Sequence, residues 1–237
     1  MFSILSKTKI LIGVEIKQNY IRFIEMKRSN NEDHIVSYGE VVFESILFEK
    51  DVFVDEKTLI GYLKNIRKDV SGKEFIVSLP SNVNINSFSA IFKEAGIKVS
   101  RFVKSDDALH SALVPKDSET SFLLVDAEKD IVSFLIHNKG EKIFFYEGAP
   151  ENHFVVTNLN QIYVDWYDDH KEKIHNVIFS GSRVNDSGFL DYVGRGTKIP
   201  ILLGNVLVNL KLHENKIPII PKEETFKYAV AIGLTVC

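Results

Sequence analysis

The sequence predicts an α/β fold built twice. Three observations carry that reading. A trio of short apolar strands over residues 9–47 recurs over residues 121–147. Each trio is followed by a helical segment, a short apolar strand and a helix-rich stretch. The opening strand, 9–17, is apolar on both faces for most of its length, which suits a central strand covered on two sides. A pattern that returns after roughly half the chain indicates two similar subdomains facing each other across a cleft. The expected unit is of ββαβαβα type with a mixed sheet.

The elements follow in order. Gln18 and Asn19 form a short hairpin break after the first strand. Residues 20–27 alternate so that both faces are partly buried. Residues 29–34, with His34, read as a polar loop, and 35–43 as the third strand. Asp55 has the character of an N-cap, with Leu59, Ile60, Leu63 and Ile66 on one helical face. Ser71 and Gly72 end that helix. A buried strand over 74–79 stops at Pro80. Residues 81–87 read as a loop, with Ser87 capping a short helix (Phe88, Ile91, Phe92, Ala95) that ends at Gly96. A strand over 98–103 leads into a helix over 106–114, whose first-turn Asp106 and Asp107 complement the helix dipole.

Residues 115–120 are rich in Pro, charge and Ser/Thr, the composition of a boundary. Residues 1–117, with the C-terminal helix pairing across, are expected as the first subdomain, and 118–237 as the second. The second trio occupies 121–126, 131–137 and 141–146. Residues 148–152 read as a loop. A helix over 154–173 follows, with Tyr163, Trp166 and Tyr167 expected in the core. Short segments complete the reading: a strand at 177–179, a helix at 187–193, a strand at 200–203 and a final helix at 224–234. Residues 205–221 carry no clear period.

Composition excludes several function classes. The chain has 237 residues, 45% of them apolar and 26% charged, ordinary for a globular protein. A net charge of −3 offers no basic field for nucleic acid or an anionic membrane. The single cysteine, Cys237, excludes a disulfide within the chain and every cysteine-based zinc spacing. The apolar run at 10–14 is broken by Glu15, and no stretch approaches the ~18 apolar residues of a membrane span. The seven histidines are scattered without metal-ligand spacing. Ser180-Gly181-Ser182 lacks the Gly-x-Ser-x-Gly spacing of a nucleophile elbow. Neither the P-loop nor the Gly-x-Gly-x-x-Gly spacing occurs.

The order of elements resembles the actin-like (ribonuclease H-like) fold, and local sequence narrows the resemblance. Residues 12–25, from Ile12-Gly13-Val14-Glu15 to Phe23-Ile24-Glu25, resemble the opening strand–turn–strand of the PilM family of type IV pilus assembly proteins. Ala95-Gly96-Ile97 followed by residues 106–112 is similar to another stretch of that family. Leu123-Leu124-Val125-Asp126 resembles its second phosphate strand, Phe179-Ser180-Gly181-Ser182-Arg183 its adenosine-side turn, and Ala229–Leu234 its closing helix. FtsA-like division proteins share most of these pieces. The family usually carries inserted subdomains after Pro80 and Gly148; here the chain returns at once to core elements, so a stripped two-subdomain form is expected.

The resemblance also defines a candidate nucleotide site. Glu15 stands where the family has an acid that holds a metal-bound water, and Lys17, Gln18 and Asn19 form the first phosphate turn. Asp126 is the second acid, and Ser180, Gly181 and Ser182 would touch the nucleoside. Glycine and small hydroxyl residues let backbone N–H groups close on an anion, and these turns depart from that pattern. Ala127-Glu128-Lys129-Asp130 replaces a Gly- and Thr-rich turn. Each added carboxylate ~5 Å from a phosphate charge costs about 3 kcal/mol at an effective dielectric near 20. Ordinary solvated hairpin turns account for the same residues.

The expected protein is therefore a non-catalytic adaptor with no cofactor, ATP and Mg being the alternative. It would sit in the cytoplasm, peripheral to the inner membrane. The resemblance implies as partner the cytoplasmic tail of an inner-membrane pilus or type II secretion-like assembly protein. An assembly ATPase or a second copy is a further possible partner. Exposed apolar residues Val83, Ile85, Phe144 and Tyr146, with Phe145 and Phe154, are the candidate partner surface. Strand addition at the third strand of either trio is the simplest docking mode. The alternatives are an actin-like nucleotide-binding protein and the cytoplasmic domain of a longer membrane protein.

Overall fold

The computed structural model describes residues 8–29, 32–44, 46–49, 52–79, 85–212 and 218–237. Pro80, Val83 and His213 lie outside the described residues. The first half runs β1 (Lys9–Ile16), β2 (Tyr20–Ser29), β3 (Glu32–Val42), a small hairpin β4 (Phe48–Glu49) and β5 (Val52–Phe53), α1 (Glu56–Asp69), β6 (Glu74–Leu79), α2 (Ile85–Glu94), β7 (Val99–Lys104) and α3 (Ser105–Leu113). The second runs β8 (Phe122–Ala127), β9 (Val132–Asn138), β10 (Glu141–Gly148), α4 (Asn152–His170), β11 (Asn176–Ser180), a 3-10 turn (Ser182–Asn185), α5 (Ser187–Gly196) and β12 (Ile201–Leu203). The chain closes with α6 (Lys222–Thr225), a 3-10 turn (Phe226–Tyr228) and α7 (Ala229–Val236).

Both halves build the same five-stranded mixed sheet. The strand orders are β3-β2-β1-β6-β7 and β10-β9-β8-β11-β12. In each, three antiparallel strands continue into two parallel ones. The repeated unit is βββαβαβα, its three-strand meander being the trio of strands read from the sequence in each half. The third strand of each trio is an edge strand.

Contacts group residues up to Ala108, 210–221 and 230–237 into one unit, and 109–209 with 222–229 into the other. The division falls within α3, and residues 115–120 lie in unit 2.

In unit 1, Ile12, Val14 and Ile16 of β1 point to the same face as Ile21 and Phe23 of β2. They bury against Leu59, Leu63 and Ile66 of α1 and Phe88, Ile91 and Phe92 of α2. Asp55 caps α1 as its sequence predicts, accepting from the Thr58 amide at 3.0 Å. The buried Glu25 accepts from the Ser71 amide (2.8 Å), the Ser71 hydroxyl (2.6 Å) and the Gly72 amide (2.8 Å), and so pins the segment after α1 to β2. The opposite face of β1 carries Gly13. A Cβ there would collide with the Ala231 carbonyl of α7, and one on Gly233 would strike the Ala108 carbonyl. Hydrogen atoms at these positions allow α7 to lie directly on the sheet.

In unit 2, Leu123, Val125, Val132, Phe134, Val177 and Phe179 pack against Val155, Leu159 and Trp166 of α4 and Phe189 and Val193 of α5.

Some local expectations are corrected. Residues 85–87 are helical, so Ser87 lies inside α2 and does not cap it. His34 lies in β3, which starts at Glu32. β10 runs on through Gly148, and α4 begins at Asn152. Tyr167 is exposed at 43%, because the α4 stripe that buries Trp166 turns it outward. The final helix is broken by the 3-10 turn at Phe226–Tyr228.

Gly13→Ala is expected to destabilise the fold by about 2–3 kcal/mol in urea denaturation, because a backbone carbonyl blocks the new methyl. Gly61→Ala, on α1 with no atom within 4 Å of its added carbon, should stabilise by up to ~1 kcal/mol. Equal effects at the two glycines would contradict this packing.

Candidate functional site

The sheet face away from α1 and α2 carries a polar row across four strands. Arg22 is the cross-strand partner of both Glu15 on β1 and Glu40 on β3. Ser78 of β6 extends the row by accepting from the Ile16 amide at 3.1 Å. The Tyr20 hydroxyl donates to Glu15 Oε1 (3.3 Å), and Arg22 Nε donates to Glu40 Oε1 (2.7 Å). The Arg22 guanidinium lies 3.9 Å from the Tyr20 ring centroid. Glu15, Arg22 and Ser78 are all buried.

Unit 2 repeats the row at equivalent strand positions. Ser180 on β11, Asp126 on β8, Ser133 on β9 and Glu147 on β10 are successive cross-strand partners. Ser180 Oγ donates to Asp126 Oδ1 (2.9 Å), and Ser133 Oγ to Glu147 Oε1 (3.2 Å). Arg22, which follows Glu15 by seven residues, corresponds to Ser133, which follows Asp126 by seven. The first row thus contains a cation between two carboxylates. The second has hydroxyls in its place.

The hairpin tips beside these rows are occupied by their own chain. At the first, the Lys17 amide donates to the Tyr20 carbonyl (3.0 Å). The Gln18 and Asn19 carbonyls accept from Leu47 (2.6 Å) and Phe43 (2.7 Å). At the second, the Glu128 amide donates to the Ile131 carbonyl (2.9 Å), and the buried Glu128 carboxylate accepts from Ser182 Oγ (2.6 Å). Gly181, at φ +93°, donates its amide to the Phe226 carbonyl at 3.0 Å, and a Cβ would run into the Ala127 backbone. Its glycine is therefore required by the chain path alone. Arg183 stacks on Phe189 at 3.9 Å and donates to the Pro150 carbonyl and Asn152 Oδ1, fastening the start of α4.

Within unit 2 the structure joins Asp126 to Ser180 and Glu128 to Ser182. Glu15, Lys17 and Gln18 belong to unit 1, at the end of β1 and the turn that follows it. Arg22, Glu40, Ser78, Ser133 and Glu147 escaped the sequence reading. The shared seven-residue step from each acid is the signal that points to two of them. Among the described residues, no three His, Cys, Asp or Glu side chains converge as metal ligands.

The expected partner residues fall in different units. Ile85 is exposed at the start of α2 in unit 1. Phe144 and Tyr146 are exposed on edge strand β10 in unit 2, with Ile143 beside them at a bulge. Tyr146 stacks between Phe134 (6.1 Å) and Phe154 (6.4 Å), so the patch is anchored to the core. Among the described residues β10 pairs only with β9. The edge of β3 is partly taken: Asp33 and Lys211 exchange bonds of 2.9 and 3.0 Å.

No family model and no curated protein matches this sequence. Solved structures do match. Ethanolamine utilization protein EutJ from Carboxydothermus hydrogenoformans superposes with a TM-score of 0.67 at 11% identity, covering 97% of this chain and 89% of that one. A PilM–PilN type IV pilus biogenesis complex matches with a TM-score of 0.66 at 10% identity, covering 94% of this chain and 97% of that one. The fold is actin-like. At these identities the likeness extends to the fold alone.

Ser180→Ala removes a donor from the buried Asp126 carboxylate. It is expected to cost about 1–3 kcal/mol in chemical denaturation, and the added substitution Asp126→Asn should recover part of that loss. Additive losses in the double variant would show that the two side chains do not act together.

Proposed function

We propose that this chain is a non-catalytic scaffold on an actin-like fold that docks an extended segment of a partner protein at β10. The supporting observation is the second hairpin tip. It presents Glu128 on a buried side chain bonded to Ser182, beside Asp126 bonded to Ser180, and residues 128–131 include no glycine. Carboxylates repel a polyphosphate, and amides already bonded across the hairpins do not reach it. The first tip uses its carbonyls to hold residues 43 and 47.

The partner in this reading is the cytoplasmic tail of an inner-membrane protein of a pilus or secretion-like assembly. Likeness of fold to the PilM–PilN complex and the local resemblances to the PilM family support it. Among the described residues no helix is long and apolar enough to cross a membrane, so attachment at the inner membrane would run through that partner. An edge strand with exposed Phe144 and Tyr146 suits main-chain pairing, with side chains adding selectivity.

A second reading is nucleotide binding without efficient hydrolysis. It is favoured by one observation: Glu15 and Asp126 occupy equivalent positions on the two central strands.

Two titrations test both readings. Calorimetry with Mg-ATP up to millimolar concentration is expected to give no heat of binding. Micromolar binding abolished by Asp126→Asn would instead establish the nucleotide reading. Tail peptides of membrane proteins encoded beside the gene are expected to bind, with at least tenfold weaker binding in a Phe144→Asp/Tyr146→Asp double variant. Tail binding unchanged by that variant would remove β10 as the docking edge.

A further inference from the structure

Two imidazoles of unit 2 meet nitrogen to nitrogen, tilted 38° to each other, and play no part in the proposed docking. His110 on α3 and His137 on β9 bring Nε2 and Nδ1 to 2.6 Å, with ring centroids 4.8 Å apart. Only one hydrogen fits between those nitrogens. His137 is buried, with Phe122 of β8 stacked on it at 6.0 Å. Its other nitrogen, Nε2, lies 3.2 Å from the Ser118 carbonyl oxygen and 3.3 Å from the Gly140 amide. The carbonyl requires Nε2 to carry a proton. The amide requires it to be bare. One nitrogen cannot serve both.

The protonation states therefore sort into three arrangements. In the neutral pair, Nε2 of His137 either donates to Ser118 or accepts from Gly140, and one N–H lies between the rings. With one added proton, one ring carries both N–H groups: either His137, donating to the Ser118 carbonyl and to His110 Nε2, or His110, donating its Nε2–H to His137 Nδ1. With a second added proton, two N–H groups would point at each other at 2.6 Å. That state requires the rings to part.

We propose that His110 and His137 form a proton-sensitive fastening, which closes the end of α3, the loop containing Ser118 and the turn into β10 onto β9, and which a second proton opens. The surrounding charges are mixed. Lys142 is the cross-strand partner of His137 on β10 and disfavours added positive charge. On α3, Asp106 and Asp107 lie about one turn before His110. The loop holds Lys116, Asp117 and Glu119, the β9–β10 turn holds Lys139, and Glu141 opens β10. Phe122 is the apolar neighbour from β8.

Burial lowers the pKa of His137 below its ordinary value near 6.5, more than the Ser118 carbonyl raises it. A depressed histidine binds fewer protons in the folded chain than in the unfolded one. Its contribution is thus complete above about pH 6.5 and is lost as pH falls below that value. The inference stands whether or not β10 docks a partner, although opening would loosen the turn that feeds that strand.

The test uses the whole chain. The ring nitrogens of wild type are followed by NMR from pH 8 to 4.5, and urea denaturation is run at pH 7.5 and 5.5 for wild type and His110→Gln. The expected results are a His137 transition below 6.5 and a fall of up to about tenfold in the wild-type folding constant between the two pH values, larger than that of His110→Gln. Identical pH dependence in the two proteins would overturn the proposal. Should the variant fail to fold, the wild-type spectrum still decides: a His137 transition at the pH of free imidazole excludes the fastening.

Discussion

A carboxylate inside a β-sheet covered on both faces must be given donors, because leaving it bare costs several kcal/mol. That constraint organises both units. Glu15 and Asp126 sit on the central strands of their sheets and are buried. The donors come from the same row: Tyr20 for Glu15, and Ser180 for Asp126. A one-residue slip of any strand would exchange these groups with the apolar face and bury the acids among Val14, Phe23 or Phe134. The polar rows therefore fix register more tightly than the apolar residues around them do. Each buried acid accepts from a hydroxyl, and the rows differ at the next strand, where Arg22 pairs with Glu40 in one and Ser133 donates to Glu147 in the other.

Much of the architecture was legible because it depends on short-range signals. Apolar runs bounded by polar turns located every strand of the two large sheets, and Asp55 with its helical stripe located α1. Features that depend on distant partners were not legible. Glu25 reads as one polar residue in an alternating strand; only the fold brings Ser71 and Gly72 to it. β4 and β5 are two residues each, too short for any period. At Tyr167 the helical spacing was right, but the width of the buried stripe depends on how α4 sits on its sheet. In the candidate site, the residues taken from the resemblance were the acids and the tips. The partners that make the acids tolerable lie on other strands, and register, not spacing, links them.

The residues behind the family resemblance have physical reasons that involve no ligand. Gly13 and Gly233 are small because carbonyl groups of α7 and α3 lie against them. Gly181 turns the chain past the Ala127 backbone. Residues 229–234 read as a closing helix of small side chains because that helix touches a sheet and another helix at backbone distance. These motifs report how the fold packs. They do not report what it binds.

Binding is a separate question, decided at the tips, and there the chemistry differs in kind. An anion site needs amides that point outward from small residues. Lys17, Gln18 and Asn19 at one tip, and Glu128, Lys129 and Asp130 at the other, have long side chains. Their amides and carbonyls close hairpins or hold residues 43 and 47, and Glu128 is turned inward to Ser182. Packing glycines are thus present wherever the backbone needs them, and absent where a phosphate would. On the proposed adaptor reading, a fold kept without a polyphosphate site accounts for that distribution, since packing glycines and phosphate-turn glycines answer separate requirements.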